Sequence, residues 1–285
     1  MCRGFPHWLG KNRWRYIEKF VSKRLEDVMK NFLRLDKIIS NLGIGSRTEV
    51  KRLMKYGLVT VDGVVVKDSS MKVCPEEQEI LVEGQLLQYQ KFTYIMMNKP
   101  QGVISATYDP KHKTCLDLLS EEFKNRDIFP VGRLDIDTEG LLLLTNNGKL
   151  AHNILSPKKH VWKKYFAKIT GRVGEEDIKA FEKGISLNDG YITLPARLKI
   201  LQDSGEEVLF FEEKDSFSKV EVMIKEGKFH QIKRMFEALG KQVVYLKRLE
   251  MADLILDESL GLGSYRELSS FEKKELLKIG GESIE

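Results

Sequence analysis

The chain has 285 residues, enough for one large domain or two smaller ones with a sizeable core. Apolar residues make up 42% and charged residues 31%, the profile of a soluble globular protein, and no run approaches the length of a membrane span. Three cysteines, Cys2, Cys74 and Cys115, lie far apart with no CxxC or Cys/His spacing, which argues against a disulfide framework or zinc site and fits a reducing cytoplasm.

The net charge of +5 is unevenly spread. Residues 1–30 carry eight Lys/Arg against three Asp/Glu, and residues 31–75 eight against four, whereas residues 250–285 carry four against nine. A basic N-terminal end suits a polyanion partner, although solvated surface charge is an equally ordinary reading. Residues 1–31 lack the continuous apolar core of a secretory signal, and organised sequence begins at about Phe32. The expectation is a leader outside the fold.

From Leu35, the apolar positions Leu35, Ile38, Ile39 and Leu42 form one helical face, with Gly43 as the stop. Ser46-Arg47-Thr48-Glu49 reads as a capping box opening a second helix that buries Val50, Leu53 and Met54 and ends near Gly57. Two β-branched runs joined by Asp62-Gly63 then predict a tight hairpin. In the second helix Arg47, Lys51 and Lys55 are four apart and share a face, with Arg52 extending it. On charge alone this is either a solvated face or a set of phosphate contacts.

A boundary near Lys91 separates this module, residues 32–91, from a larger domain over residues 92–285. Tyr94–Met97 reads as a buried strand followed by a Lys99-Pro100-Gln101-Gly102 turn. Residues 128–132, 141–145, 164–173 and 217–227 read as strands. Residues 177–185 and 230–240 read as helices, and 269–279 as a terminal helix capped at Ser269 or Ser270. The pattern is α+β. No internal repeat or low-complexity segment interrupts it.

One run, "VGRLDIDTEGLLLLTNNG" at 131–148, carries charge against a core strand. Gly132 and Gly140 flank a tight loop bearing Arg133, Asp135, Asp137 and Glu139, and the leucines form the strand behind it. Acids at the edge of a core need cationic partners. They can be hard-metal ligands, turn caps or a carboxylate nucleophile. Neither a phosphate loop nor a second acidic cluster accompanies them, which disfavours the metal.

Residues 32–80, with "RLDKIISNLGIGSRTEVKRLMKYGLVTVDGVVV", resemble the alpha-L RNA-binding motif. "GRLDIDTEGLLLLTNNG" resembles the signature of the bacterial ribosomal RNA pseudouridine synthases. "MMNKPQG", "HNILSPKKHVWKKYFAKI" and "EGKFHQIKRMFEALG" resemble three further motifs of that family, in its order. The resemblance covers about residues 32–270. The tyrosine segment and the "NKPQG" turn look closest to the small-subunit (16S) branch, although the large-subunit (23S) branches share most of the chain.

The resemblance implies a central mixed, mainly antiparallel β-sheet and the isomerisation of a uridine to pseudouridine without cofactor or metal. By position Asp135 is the nucleophile, Tyr165 the ring that stacks on the target base, and Lys233 the cation beside the carboxylate. Arg133 matches an arginine that fills the gap left by a flipped base; its alternative is a salt bridge to Asp137 or Glu139. Of the adjacent Lys233 and Arg234, only one is expected to reach the site, the other contacting RNA backbone or solvent. Asp137 and Glu139 read as structural loop acids, and His230 and Gln231 as residues that set the helix start. Arg47, Lys51, Arg52 and Lys55 become RNA contacts. The implied partner is ribosomal RNA, in a small-subunit assembly intermediate, met by a monomer away from any membrane. A non-catalytic assembly factor is the rival reading, disfavoured by the presence of Asp135, Tyr165 and Lys233 together. Residues 205–218 depart from the compact pattern and read as an excursion loop.

Overall fold

The computed structural model describes residues 32–124, 126–201 and 217–280, so the expected leader and nearly all of the expected excursion loop lie outside the described residues. The chain divides into two compact units, one ending at Lys91 and the other beginning at Phe92.

In the N-terminal unit, strand β1 (Leu33–Arg34) leads into helices α1 (Leu35–Asn41) and α2 (Arg47–Lys55). Strands β2 (Val59–Val61), β3 (Val64–Val65), β4 (Lys72–Val73), β5 (Ile80–Val82) and β6 (Gln85–Leu86) follow. β1 pairs with β4, and the other four form an antiparallel sheet in the order β3-β2-β5-β6. The capping box forms as read: the Ser46 N–H donates to Glu49 Oε2 at 2.8 Å, and the Glu49 N–H to Ser46 Oγ at 3.3 Å. Asp62 and Gly63 have φ of 50° and 78°, the two left-handed residues of a hairpin turn whose twist matches its strands. Leu35, Ile38, Ile39, Val50 and Met54 close over Val59, Val61 and Ile80, while Leu53 is only partly buried at the margin.

The second unit is built on a mixed sheet. Its strands are β7 (Tyr94–Lys99), β8 (Phe129–Pro130), β9 (Glu139–Thr145), β10 (Lys163–Thr170) and β11 (Arg197–Ile200), then β12 (Phe217–Ile224), β13 (Val243–Met251), β14 (Leu254–Ile255) and β15 (Tyr265–Glu267). The order is β11-β12-β10-β13-β9-β7-β15, with β14 beside β13 and β8 beside β9. The pair β13–β9 is parallel and the others are antiparallel. Helices α3 (Gly148–Leu155), α4 (Glu175–Lys183), α5 (Gln231–Ala238) and α6 (Ser270–Gly280) complete the α+β arrangement.

The leucine run has a direct cause. Leu142 and Leu144 enter one core with Phe181, Ile232 and Phe236 from α4 and α5. Leu141 and Leu143 enter a second with Leu150, Ile154 and Leu276 from α3 and α6. Both faces of β9 are covered, so alternation gives way to a continuous apolar strand. Several elements are shorter than the sequence suggests. The strand expected over 128–132 is only Phe129–Pro130, and the one over 164–173 ends at Thr170. In the terminal helix the Glu272 N–H donates to Ser269 Oγ at 3.2 Å, which makes Ser269 the cap.

Candidate active site

The acidic loop is held from below. Gly140 sits at φ 101°, where β9 meets β13, and a β-carbon there would collide with the backbone of Arg248. Only glycine permits the parallel strands to approach at this point. Lys99, at the end of β7, is completely buried. Its Nζ donates to the carbonyl oxygens of Pro100 (3.0 Å), Asp135 (3.0 Å) and Thr138 (2.9 Å). Burial pushes its ammonium down to about 8, against the pull of nearby Asp137, Asp135 and Glu139. One buried cation thus ties the carbonyls on either side of the loop to the end of a core strand. The Ser105 hydroxyl adds a second tie, accepting from the Leu134 N–H at 3.0 Å and donating to the Leu134 carbonyl at 3.1 Å.

So anchored, the loop presents Asp135 to α5. Lys233 Nζ lies 3.2 Å from Asp135 Oδ2, and His230 Nε2 lies 3.6 Å from Oδ1. Lys233 also donates to Asp137 Oδ1 at 2.6 Å. Burial works against ionisation of Asp137, but Lys233 more than offsets it and holds that carboxyl below its ordinary range. A cleft of about 60 Å³ opens between these groups, lined by Arg133, Asp135, Thr138, Tyr165, His230 and Lys233 among others. Tyr165, 7% exposed, closes one side from β10. Leu134, Ile224, Ile232 and Leu246 supply apolar wall. The cleft thus combines a carboxylate, a cation and an aromatic ring on an apolar wall, which suits a flat polar heterocycle and charge developing beside it.

The structure brings Arg133, Asp135, Tyr165 and Lys233 together around one cleft and separates Arg234 from them. Arg234 pairs instead with Asp189. Arg133 is exposed at the mouth and makes no ion pair with Asp137 or Glu139 among the described residues. Glu139 is buried and accepts a 2.6 Å hydrogen bond from the Tyr245 hydroxyl, a structural contact. Asp137 shares Lys233 with Asp135, a closer involvement than that of a loop acid alone. At the start of α5, Gln231 Oε1 accepts from the Lys228 N–H at 2.9 Å, and His230 takes the left-handed conformation just before the helix. In the N-terminal unit Arg47, Lys51, Arg52 and Lys55 are all exposed.

Two participants were not visible as such in the sequence. Lys99 read only as a turn residue, although a lysine directly before Pro-Gln-Gly at the end of an apolar strand is a usable signal for a buried cation. Thr138 lines the cleft, and its buried hydroxyl has no hydrogen-bond partner among the described residues. No three His, Cys, Asp or Glu side chains converge as metal ligands among the described residues.

Comparison with known proteins gives the family of the chain. A model of the RNA pseudouridylate synthase family matches residues 93–238, and one of the S4 domain matches residues 33–79. An uncharacterized RNA pseudouridine synthase of Bacillus subtilis is 48% identical over 84% of this chain and 96% of its own length. The ribosomal large subunit pseudouridine synthase B of B. subtilis is 40% identical over 85% and 95%. The ribosomal small subunit pseudouridine synthase A of Escherichia coli (strain K12) is 37% identical over 84% and 98%. A crystal structure of a pseudouridylate synthase superposes with a TM-score of 0.57 at 36% identity, covering 86% of this chain and 99% of that one. With relatives so similar over most of its length, and a cleft built from the loop, strand and helix that its motifs singled out, the chain belongs to the RNA pseudouridylate synthase family.

Proposed function

We propose that this enzyme converts a uridine of ribosomal RNA to pseudouridine with Asp135 as nucleophile. The carrying observation is the 3.2 Å approach of Lys233 to the Asp135 carboxylate beside the Tyr165 ring in one cleft. The target base leaves its stack, at a cost of about a few kcal/mol, and enters the cleft against Tyr165. Arg133, exposed at the mouth, takes the vacated place in the RNA. Asp135 attacks C1′ of the ribose or C6 of the base. The N-glycosidic bond breaks and the uracil turns on the Tyr165 face; C5 then bonds to C1′, the bond to Asp135 breaks and returns its electron pair to the carboxylate, and the C5 proton leaves while N1 gains one. Stacking suits this turn because a ring holds a flat base without fixing its edge. Lys233 holds the negative charge of Asp135 in place and exchanges partners between Asp135 and Asp137 as that charge changes.

The basic face of α2 contacts RNA phosphates and brings the substrate to the cleft. We take the substrate as 16S RNA in an assembly intermediate, handled by a monomer in the cytoplasm, because the tyrosine segment and the "NKPQG" turn resemble that branch most. The 40% identity to a large-subunit enzyme supports 23S RNA as the second reading. The test is tritium release from 16S and 23S transcripts labelled at uridine C5, each offered free and in partly assembled subunits. Release from the 16S species alone supports the reading, release from 23S alone replaces it with the second, and release from neither overturns both.

A further inference from the structure

A second concavity adjoins the cleft, and the isomerisation does not use it. It is a trough of about 520 Å³ bordered by Lys158, His160, Lys163, Tyr191, Lys225 and Lys228, and it shares Gly227 and Lys228 with the lining of the cleft. Three features mark it as a built site rather than a surface hollow.

Its charge is unbalanced. Four lysines face one acid, Glu226, whose oxygens are already occupied. Glu226 Oε2 accepts from the Tyr191 hydroxyl at 2.6 Å, and Oε1 from the Leu194 N–H at 2.9 Å and Gln231 Nε2 at 2.7 Å.

Lys163 is 8% exposed, yet among the described residues it makes no ion pair, and its Nζ has a single hydrogen bond, to the Val161 carbonyl at 2.9 Å. Arg248, 2% exposed, acts on it as a second buried cation, and among the described residues one Arg248 guanidinium nitrogen has no hydrogen-bond partner. Glu226 attracts Lys163 without forming an ion pair with it among the described residues, and it is shared among four lysines. A buried cation so weakly compensated is costly, and an anion seated in the trough relieves that cost.

Its lysines lie against rings, one of them, Tyr191, in the trough's own lining. Lys228 Nζ lies 4.8 Å from the ring centre of Tyr191, and Lys225 Nζ 4.6 Å from that of Trp162. Lysines interleaved with rings, beside a cleft that receives a base, match the requirements of single-stranded RNA.

We propose that this trough is the subsite for the nucleotide adjacent to the target in a single-stranded stretch of RNA. It takes the phosphate on Lys158, Lys163 and Lys225 and the base against Tyr191. The inference rests on the synthase reading for the identity of the chain that enters the cleft. It also gives the trough a route to the chemistry. Glu226 holds Gln231, the first residue of α5, and Lys233 stands two residues further on the same helix.

The test is binding of fluorescein-labelled pentauridylate, compared with uridine 5′-monophosphate, by the full chain over a series of salt concentrations. The double variant Lys158→Ala/Lys225→Ala is expected to bind pentauridylate about tenfold more weakly, with a salt slope smaller by roughly 0.7 for the one lost phosphate contact. Binding of the monophosphate should not change. Lys163→Met, which removes an unpaired buried charge, should melt no lower than the wild type and still weaken pentauridylate. Wild-type affinity and salt slope in both variants would overturn the subsite. Failure of the synthase reading shows elsewhere, as absence of tritium release from every ribosomal RNA species, and leaves this binding comparison intact.

Discussion

Replacing Lys99 by Met probes how the loop that bears Asp135 is held. The side chain keeps its length and loses its charge. The carbonyls of Asp135 and Ile136 keep the N–H groups of Thr138 (3.1 Å) and Gly102 (2.8 Å), so the loss falls mainly on Pro100 and Thr138. Two carbonyls stripped of a charged donor, one buried and one partly buried, cost about 2–6 kcal/mol together at most. Against this, burial holds the Lys99 ammonium at about 8 instead of 10.5, and removing that charge recovers about 3 kcal/mol. The two nearly cancel, so the melting temperature should move by less than about 10 °C. Positioning has no such compensation. If Asp135 is the nucleophile as proposed, a loop that carries it and drifts by about 1 Å costs roughly 100-fold in rate. Single-turnover tritium release should therefore fall by between about 10- and 100-fold, with the half-saturating RNA concentration little changed. A Lys99→Met enzyme turning over within about twofold of wild type would refute the anchoring role.

Tyr165→Ala should raise the half-saturating RNA concentration by between about 5- and 150-fold, the equivalent of 1–3 kcal/mol of base stacking, while Tyr165→Phe keeps RNA binding; titration of both variants with transcript distinguishes them. Neutralising Lys51 and Lys55 of α2 should weaken RNA binding without altering the rate at saturation, and should lower the salt slope by about 0.7–0.9 per lost contact. At the C-terminal end, Arg266 holds Glu272 down to about 2, and Ser259 together with Arg266 holds Asp257 down to about 2. Both acids are depressed on folding, so their contribution is present above about pH 4.5 and is lost as pH falls towards 2. Arg266→Gln should flatten that acid limb in melts taken between pH 5 and 2, and an unchanged limb would contradict the assignment.

Most of the scaffold could be read from local chemistry. The capping box at Ser46, the Asp62-Gly63 turn and the leucines of β9 each carry a signal within a few residues. The strand β13 did not: "VVYLKRLEM" mixes charges with apolar residues because Lys247 and Glu250 are only half-buried while Arg248 is fully buried. Its parallel join to β9 depends on Gly140, far away in sequence. Asp135, Tyr165 and Lys233 were singled out by resemblance, since each alone is an ordinary acid, strand ring and helix cation. Their meeting is a product of topology: α5 lies across the core face to which β9 and β10 contribute. The link between Lys233 and Asp137, and the trough around Lys163, depend on contacts between segments about 30 to 100 residues apart, beyond any spacing rule.

The most direct test of the account is pseudouridine mapping of ribosomal RNA in cells lacking this protein, complemented with the wild type or with Asp135→Asn. The variant loses the proposed nucleophile and keeps the size of the side chain. The account predicts that deletion removes a pseudouridine, that the wild type restores it, and that Asp135→Asn, present at the same level, does not. Restoration by Asp135→Asn would contradict the central role given to that carboxylate.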